Sequence, residues 1–264
     1  MIAPGFAGLE EQLWLWLFAM IRPGAAFFAA PVTGAKMVPV QLRLIISLAV
    51  GIAAVGGSAI TLPQDGLISI SGFALIAGEI VIGLAIGFTI QIGYAGAFVA
   101  GETISNAMGL GFASMSDPQT GQSTPVIGQF LSIIATLIFL AIDGHLILAS
   151  VIVRSYENLP PGGGILSADA ALRLARFGGT LFVAGLAIAF PVGSALLLVQ
   201  IIMGLLARSA PSMNLFAVGL PATLTLGLVM LAMAAPMMID GIGRTLVQSL
   251  EFSDTLASDA QNSR

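Results

Sequence analysis

The sequence predicts an all-α, polytopic membrane protein. Three observations carry that prediction. Of 264 residues, 57% are hydrophobic and only 8% are charged, and the mean hydropathy is +1.02; a soluble domain carries about 25% charged residues. Long stretches lack any charge, as in Phe177–Ala207, and a helix needs only about 20 apolar residues to cross a bilayer. No ten-residue alternating pattern repeats, which excludes a transmembrane barrel.

Composition also bounds the chemistry. Nine basic residues face thirteen acidic ones, for a net charge of -4, so the chain has no basic footprint for nucleic acid. There is no cysteine and a single histidine, His145; thiol catalysis, disulfides and multi-histidine metal sites are excluded. No HExxH, GxSxG or P-loop pattern occurs. The expectation is no catalytic residue, no metal and no cofactor. Glu10 and Glu11 precede the first apolar run without a basic partner, so the N-terminus does not read as a cleavable signal.

Six apolar segments follow in order: Leu13–Pro31, Leu44–Leu62, Ile70–Ala100, Val126–Val153, Phe177–Ala207 and Met213–Ile239. The first is interrupted by Arg22-Pro23. The third is long enough for a bend or hairpin. The fourth holds Asp143-Gly144-His145 near its centre, a turn sequence in which His145 can bond a carbonyl. Pro191 and Pro221 are bend points in the last two. Six plain crossings would put the cluster Lys36–Arg43 and the cluster Arg154–Arg176 on opposite sides, against the positive-inside rule. That conflict predicts that a middle segment is not a clean crossing, and that both clusters face one side. Residues 1–245 are expected to form a single membrane domain, and residues 246–264 a polar, disordered tail.

Small residues recur at four-residue spacing: Gly83 and Gly87; Gly93, Ala97 and Gly101; Gly185, Ala189 and Gly193. Such spacing lets helix backbones approach and associate in lipid; packing within the chain is the plainer alternative. Ionisable residues in apolar surroundings are functional candidates. Arg22, Glu79, Glu102, Asp143 and His145 form that set here, with Asp240 beside them. Arg22 can snorkel to a helix end or pair with Glu79 or Glu102. Glu79 and Glu102 bracket 22 uncharged residues, about 35 Å on a straight helix. They mark either the ends of one long helix or the legs of a hairpin.

Residues 103–125 place Met108, Leu110, Phe112 and Met115 among Gly109, Gly111, Ser, Asn, Asp and Pro. A surface loop does not ordinarily carry large apolar residues at nearly alternate positions. Flexible backbone with deformable apolar side chains suits a seal that opens and recloses; an interfacial loop dipping into headgroups is the plainer alternative.

An ordered set of short stretches carries a resemblance. Arg22, Pro31, Pro39 and Arg43 open it. Gly78-Glu79, Gly101-Glu102, SDPQTGQSTPVIGQFL at 116–131 and FLAIDGHLIL at 139–148 follow. Ser155, Leu159-Pro160, Ala189-Phe190-Pro191-Val192, Arg208, Asn214-Leu215-Phe216 and VGLPATLTLGL at 218–228 complete it. Over roughly residues 13–245 the chain resembles the FliR family, the R/T subunits of the type III secretion export gate, in its flagellar branch. The departures are Gln200, where the family often has an acidic residue, and Pro211-Ser212-Met213-Asn214 in place of Pro-Gln-Leu-Asn.

The resemblance implies bent helical hairpins packed in a hetero-oligomeric spiral with P-type and Q-type export-gate subunits, beside the large export-gate subunits. It implies passage of exported flagellar proteins, and a location in the bacterial inner membrane at the flagellar basal body. It makes Met108, Gly109, Leu110, Gly111, Phe112 and Met115 a channel plug. From their apolar surroundings, Arg22, Glu79, Glu102, Asp143 and His145 are expected to be buried charges for assembly. A secondary transporter or channel acting alone is the other class to weigh, but the halves show no internal repeat of the kind it predicts.

Overall fold

The computed structural model describes residues 8–57, 69–111, 126–161, 166–209 and 215–258 of the 264. Every regular element among them is an α-helix. In chain order these are α1 (Leu9–Ala19), α2 (Ile21–Ala29), α3 (Val40–Gly57), α4 (Ile70–Ala107), α5 (Val126–Ala141), α6 (Gly144–Asn158), α7 (Ala168–Gly178), α8 (Thr180–Ser209) and α9 (Leu215–Ser258). Four helical stretches are long and apolar enough to cross a membrane, five if the broken pair α5–α6 counts as one. The second apolar segment of the sequence is the shorter helix α3.

The third segment resolves its own ambiguity. α4 is one unbroken helix of 38 residues, not a hairpin. No proline stands between Ile70 and Ala107, so every backbone N–H stays available for the ladder. Its length is about 57 Å at 1.5 Å per residue, well beyond a hydrocarbon core of about 30 Å. Pro191 lies inside the continuous helix α8, and Pro221 and Pro236 inside α9. The break in the fourth segment falls where sequence puts it. Asp143 takes the left-handed region at φ 54, its N–H bonds Leu140 O, and its carbonyl accepts from Leu146 and Ile147 as α6 begins.

The C-terminal boundary differs from the sequence expectation. α9 runs on to Ser258, so residues 246–258 are helical and not a disordered tail. Leu246, Leu250, Leu256 and Ala257 are buried, while Val247, Gln248 and Glu251 face out. This is one apolar stripe at helical spacing, hidden in the sequence by a low mean hydropathy.

The described residues fall into two compact units where sequence expects one domain. In the first, residues 1–92, 140–178 and 247–264, α3 packs against α1, α2 and α6. Gly51 of α3 meets the backbone of Ala19 so closely that a Cβ would lie 2.8 Å from its carbonyl. Gly83 and Gly87 of α4 lie against the carbonyls of Arg22 and Ala26 in α2. In the same unit Phe252 stacks on Phe177 with centroids 4.1 Å apart, and Arg154 pairs with Asp254 at 3.0 Å. The second unit holds residues 93–139 and 179–246. There Gly101 meets the backbone of Gly128, and Gly185 meets Val99 and Gly96. The small-residue patterns therefore serve packing within the chain, except at Gly193, where a Cβ would meet nothing within 4 Å.

Candidate functional site

Two places carry polar groups in apolar surroundings. The first begins with Pro23. A proline has no N–H, so the carbonyl four residues earlier, Ala19 O, loses its helical donor. The hydroxyl of Tyr156 in α6 donates to it at 2.8 Å. The Tyr156 ring in turn lies under Arg22, with the guanidinium carbon 3.9 Å from the ring centre, a cation–π arrangement.

Arg22 is fully buried and Glu79 nearly so. Their pairing is bidentate: Nε donates to Oε2 at 2.8 Å and Nη2 to Oε1 at 2.9 Å. Nη1 donates to Ser155 Oγ at 2.9 Å, and Nη2 also donates to Leu159 O at 2.8 Å. A buried charge is tolerable only when paired and hydrogen-bonded on its remaining donors, and this one is. The cluster ties α2, α4 and α6 together through groups separated by 57 and 133 positions in the chain.

The second place is the end of α4. The last four carbonyls of a helix lack partners within it. Gly109 adopts φ 82, a value glycine takes without a Cβ clash. It thereby lets Leu110 N–H bond Ser105 O at 3.1 Å and Gly109 N–H bond Asn106 O at 3.0 Å. This is a Schellman termination. Side chains from two other helices reach the next two carbonyls. Gln200 Nε2 of α8 donates to Ala107 O at 2.9 Å, and Thr223 Oγ1 of α9 lies 3.2 Å from Met108 O. The Met108 side chain is buried against Gly227, where a Cβ would come within 2.6 Å of its Cγ. A cavity of about 500 Å³ lies beside this end, lined among others by Asn106, Gly109, Met203 and Gly204.

The remaining sequence candidates sit apart from these clusters. Glu102 does not pair with Arg22; its Oε1 is buried with no partner among the described residues. Asp143 is exposed in this chain, because its left-handed backbone turns it out at the helix break. His145 Nδ1 is buried and unpartnered among the described residues, so that nitrogen does not bond a carbonyl. Asp240 is exposed and lies 4.0 Å from Arg244. Phe112 and Met115 fall outside the described residues. Among the described residues no group of His, Asp and Glu could hold a metal.

Residues 13–249 match the family described as "Bacterial export proteins, family 1". The chain belongs to that family. The flagellar biosynthetic protein FliR of Escherichia coli K12 is 35% identical over 234 residues, which is 86% of this chain and 88% of its own length. FliR of Pectobacterium carotovorum is 35% identical over 224 residues, 85% and 84% of the two chains. FliR of Bacillus subtilis is 31% identical over 221 residues, 82% and 84%. The region shared with the bacterial export family takes in the whole Arg22 cluster and the capped end of α4, and closes within α9.

Sequence alone pointed to Arg22, Glu79 and the Met108–Gly111 stretch, but it gave no role to Tyr156, Thr223 or the carbonyl of Leu159. One signal for Tyr156 was present: Pro23 orphans Ala19 O, which must find a donor elsewhere. For Thr223 no local signal exists, since its partner is a carbonyl 115 positions away.

Proposed function

We propose that this chain is an export-gate subunit of the flagellar type III protein secretion apparatus, forming part of the channel through which unfolded flagellar proteins cross the inner membrane. The observation that carries the reading is the family match over residues 13–249, with flagellar relatives aligned over more than four-fifths of both chains. Its partners are P-type and Q-type gate subunits and the large export-gate subunits, in a helical spiral at the basal body. The outer face of α8 supports the need for partners: Phe182, Val183, Leu186 and Phe190 are all exposed, an apolar area that water would not leave uncovered. Lipid covers what the partners do not.

In this reading Met108, Gly109, Leu110 and Gly111, continuing to Phe112 and Met115, close the channel at rest. Apolar side chains keep a narrow passage dry because hydrating them gains too little. Glu102 and His145, with buried atoms unmet among the described residues, and the exposed Asp143 are groups for neighbouring subunits to meet.

Purification in mild detergent tests the assignment. The chain is expected to come out only with other membrane proteins of the export apparatus, and cells lacking it are expected to export no flagellar subunits. A monodisperse, folded monomer, or normal flagella in its absence, overturns it.

A further inference from the structure

We propose that Gln200 and Thr223 form a reversible latch on the end of α4, holding the root of the closing segment until export releases it; the latch rests on the gate reading above. The carbonyl accounting carries the argument. Of the last four carbonyls, Ser105 O and Asn106 O are bound by the chain's own turn. Ala107 O and Met108 O are met by side chains of α8 and α9. Moving the turn at Met108–Gly109 away from α8 and α9 breaks those two bonds.

Both bonds are built to let go. Thr223 Oγ1 also lies 3.1 Å from Gly219 O and 3.0 Å from Leu220 O on its own helix. A hydroxyl has one proton, so it serves one of the three at a time. Releasing Met108 O therefore leaves no donor stranded. Gln200 is exposed, and its amide finds water when Ala107 O departs; stranding a buried donor is what makes a lost hydrogen bond costly. Room is present as well. The cavity of about 500 Å³ adjoins Ala107, Gly109 and Gln200, and a Cβ on Gly204, across it, would touch nothing within 4 Å. The Met108 thioether, unbranched and deformable, can reseat against Gly227 after each opening. The Arg22 cluster has none of these properties: it is fully buried, and breaking it leaves a charge unpaired. The two clusters thus divide the work, one permanent and one releasable.

The test uses the assembled export complex carrying Leu110→Cys in this otherwise cysteine-free chain. The readout is the rate of labelling by a water-soluble maleimide. Gln200→Leu with Thr223→Val removes both donors and keeps the side-chain volumes. Labelling is expected to rise about thirtyfold, the effect of two net hydrogen bonds of ordinary strength, with the yield of complex unchanged. Thr223→Ser, which keeps the hydroxyl, is expected to label at the parent rate. Should the double variant fail to assemble, Gln200→Leu alone decides, because that exposed side chain carries little packing. Labelling at the parent rate in complexes of normal yield overturns the latch. The gate reading fails separately, if Phe112→Asp complexes hold ions back as well as the wild type does.

Discussion

Replacing Arg22 by Met is expected to destabilise the chain by about 3–5 kcal/mol, the usual consequence of removing one partner of a buried ion pair. Glu79, nearly without solvent contact, would keep a carboxylate with no counter-charge. Leu159 O would lose its donor and Tyr156 its cation. Against a total stability of about 5–15 kcal/mol, that loss removes much of the folded population. Thermal unfolding in detergent and the amount of chain recovered from membranes both read it. Arg22→Met with Glu79→Leu is expected to recover most of the loss, because an apolar pair of similar volume replaces a buried ion pair at little net cost. The non-additivity of the cycle isolates the pair. A single Arg22→Met variant as stable as the parent would show that the pairing contributes nothing to the fold.

Gly87→Val is expected to cost about 3 kcal/mol, at the top of the range for overpacking. A Cβ at Gly87 would overlap the carbonyl of Ala26 and come within 2.9 Å of Ala29 Cβ. The obstacle is backbone, which cannot rotate away as a flexible side chain can, so α2 and α4 must separate. Separation also lifts Arg22 from Glu79, since Gly83 rests on the Arg22 carbonyl one turn earlier. In lipid, helix association depends on close contact and not on burial from water, so the lost contact is not regained elsewhere. Gly193→Ala is the control. It sits in α8 with open space at its Cβ position, and is expected to be neutral or to stabilise by up to about 1 kcal/mol through helix propensity. Melting temperatures of the two variants in the purified complex check both.

The features legible in the sequence were those with a local cause. Charge-free runs gave the helices, and Asp143-Gly144 gave the break, because Asp tolerates the left-handed backbone that interrupts a helical ladder. The absence of proline from residues 70–107 could have settled α4 as one helix. The apolar stripe Leu246, Leu250 and Leu256 was present too, but a hydropathy average suppresses a one-sided pattern. What stayed illegible depends on which helix faces which. Arg22 had two acidic candidates, and only the placement of α2 against α4 selects Glu79 over Glu102. The end of α4 showed the same limit: Gly109 was readable as freedom in the backbone, yet the donors from Gln200 and Thr223 follow from helix register alone.

The central claim is that this chain contributes the closing segment of an export channel, rooted at the capped end of α4. Ion conductance of the purified complex in a planar bilayer tests it most directly. The wild-type complex is expected to be silent. Complexes carrying Phe112→Asp, or lacking residues 109–114, are expected to conduct ions with no exported protein present, while Phe112→Leu stays silent because the site remains apolar. Normal assembly of the deleted form with conductance still at the wild-type level would contradict the account.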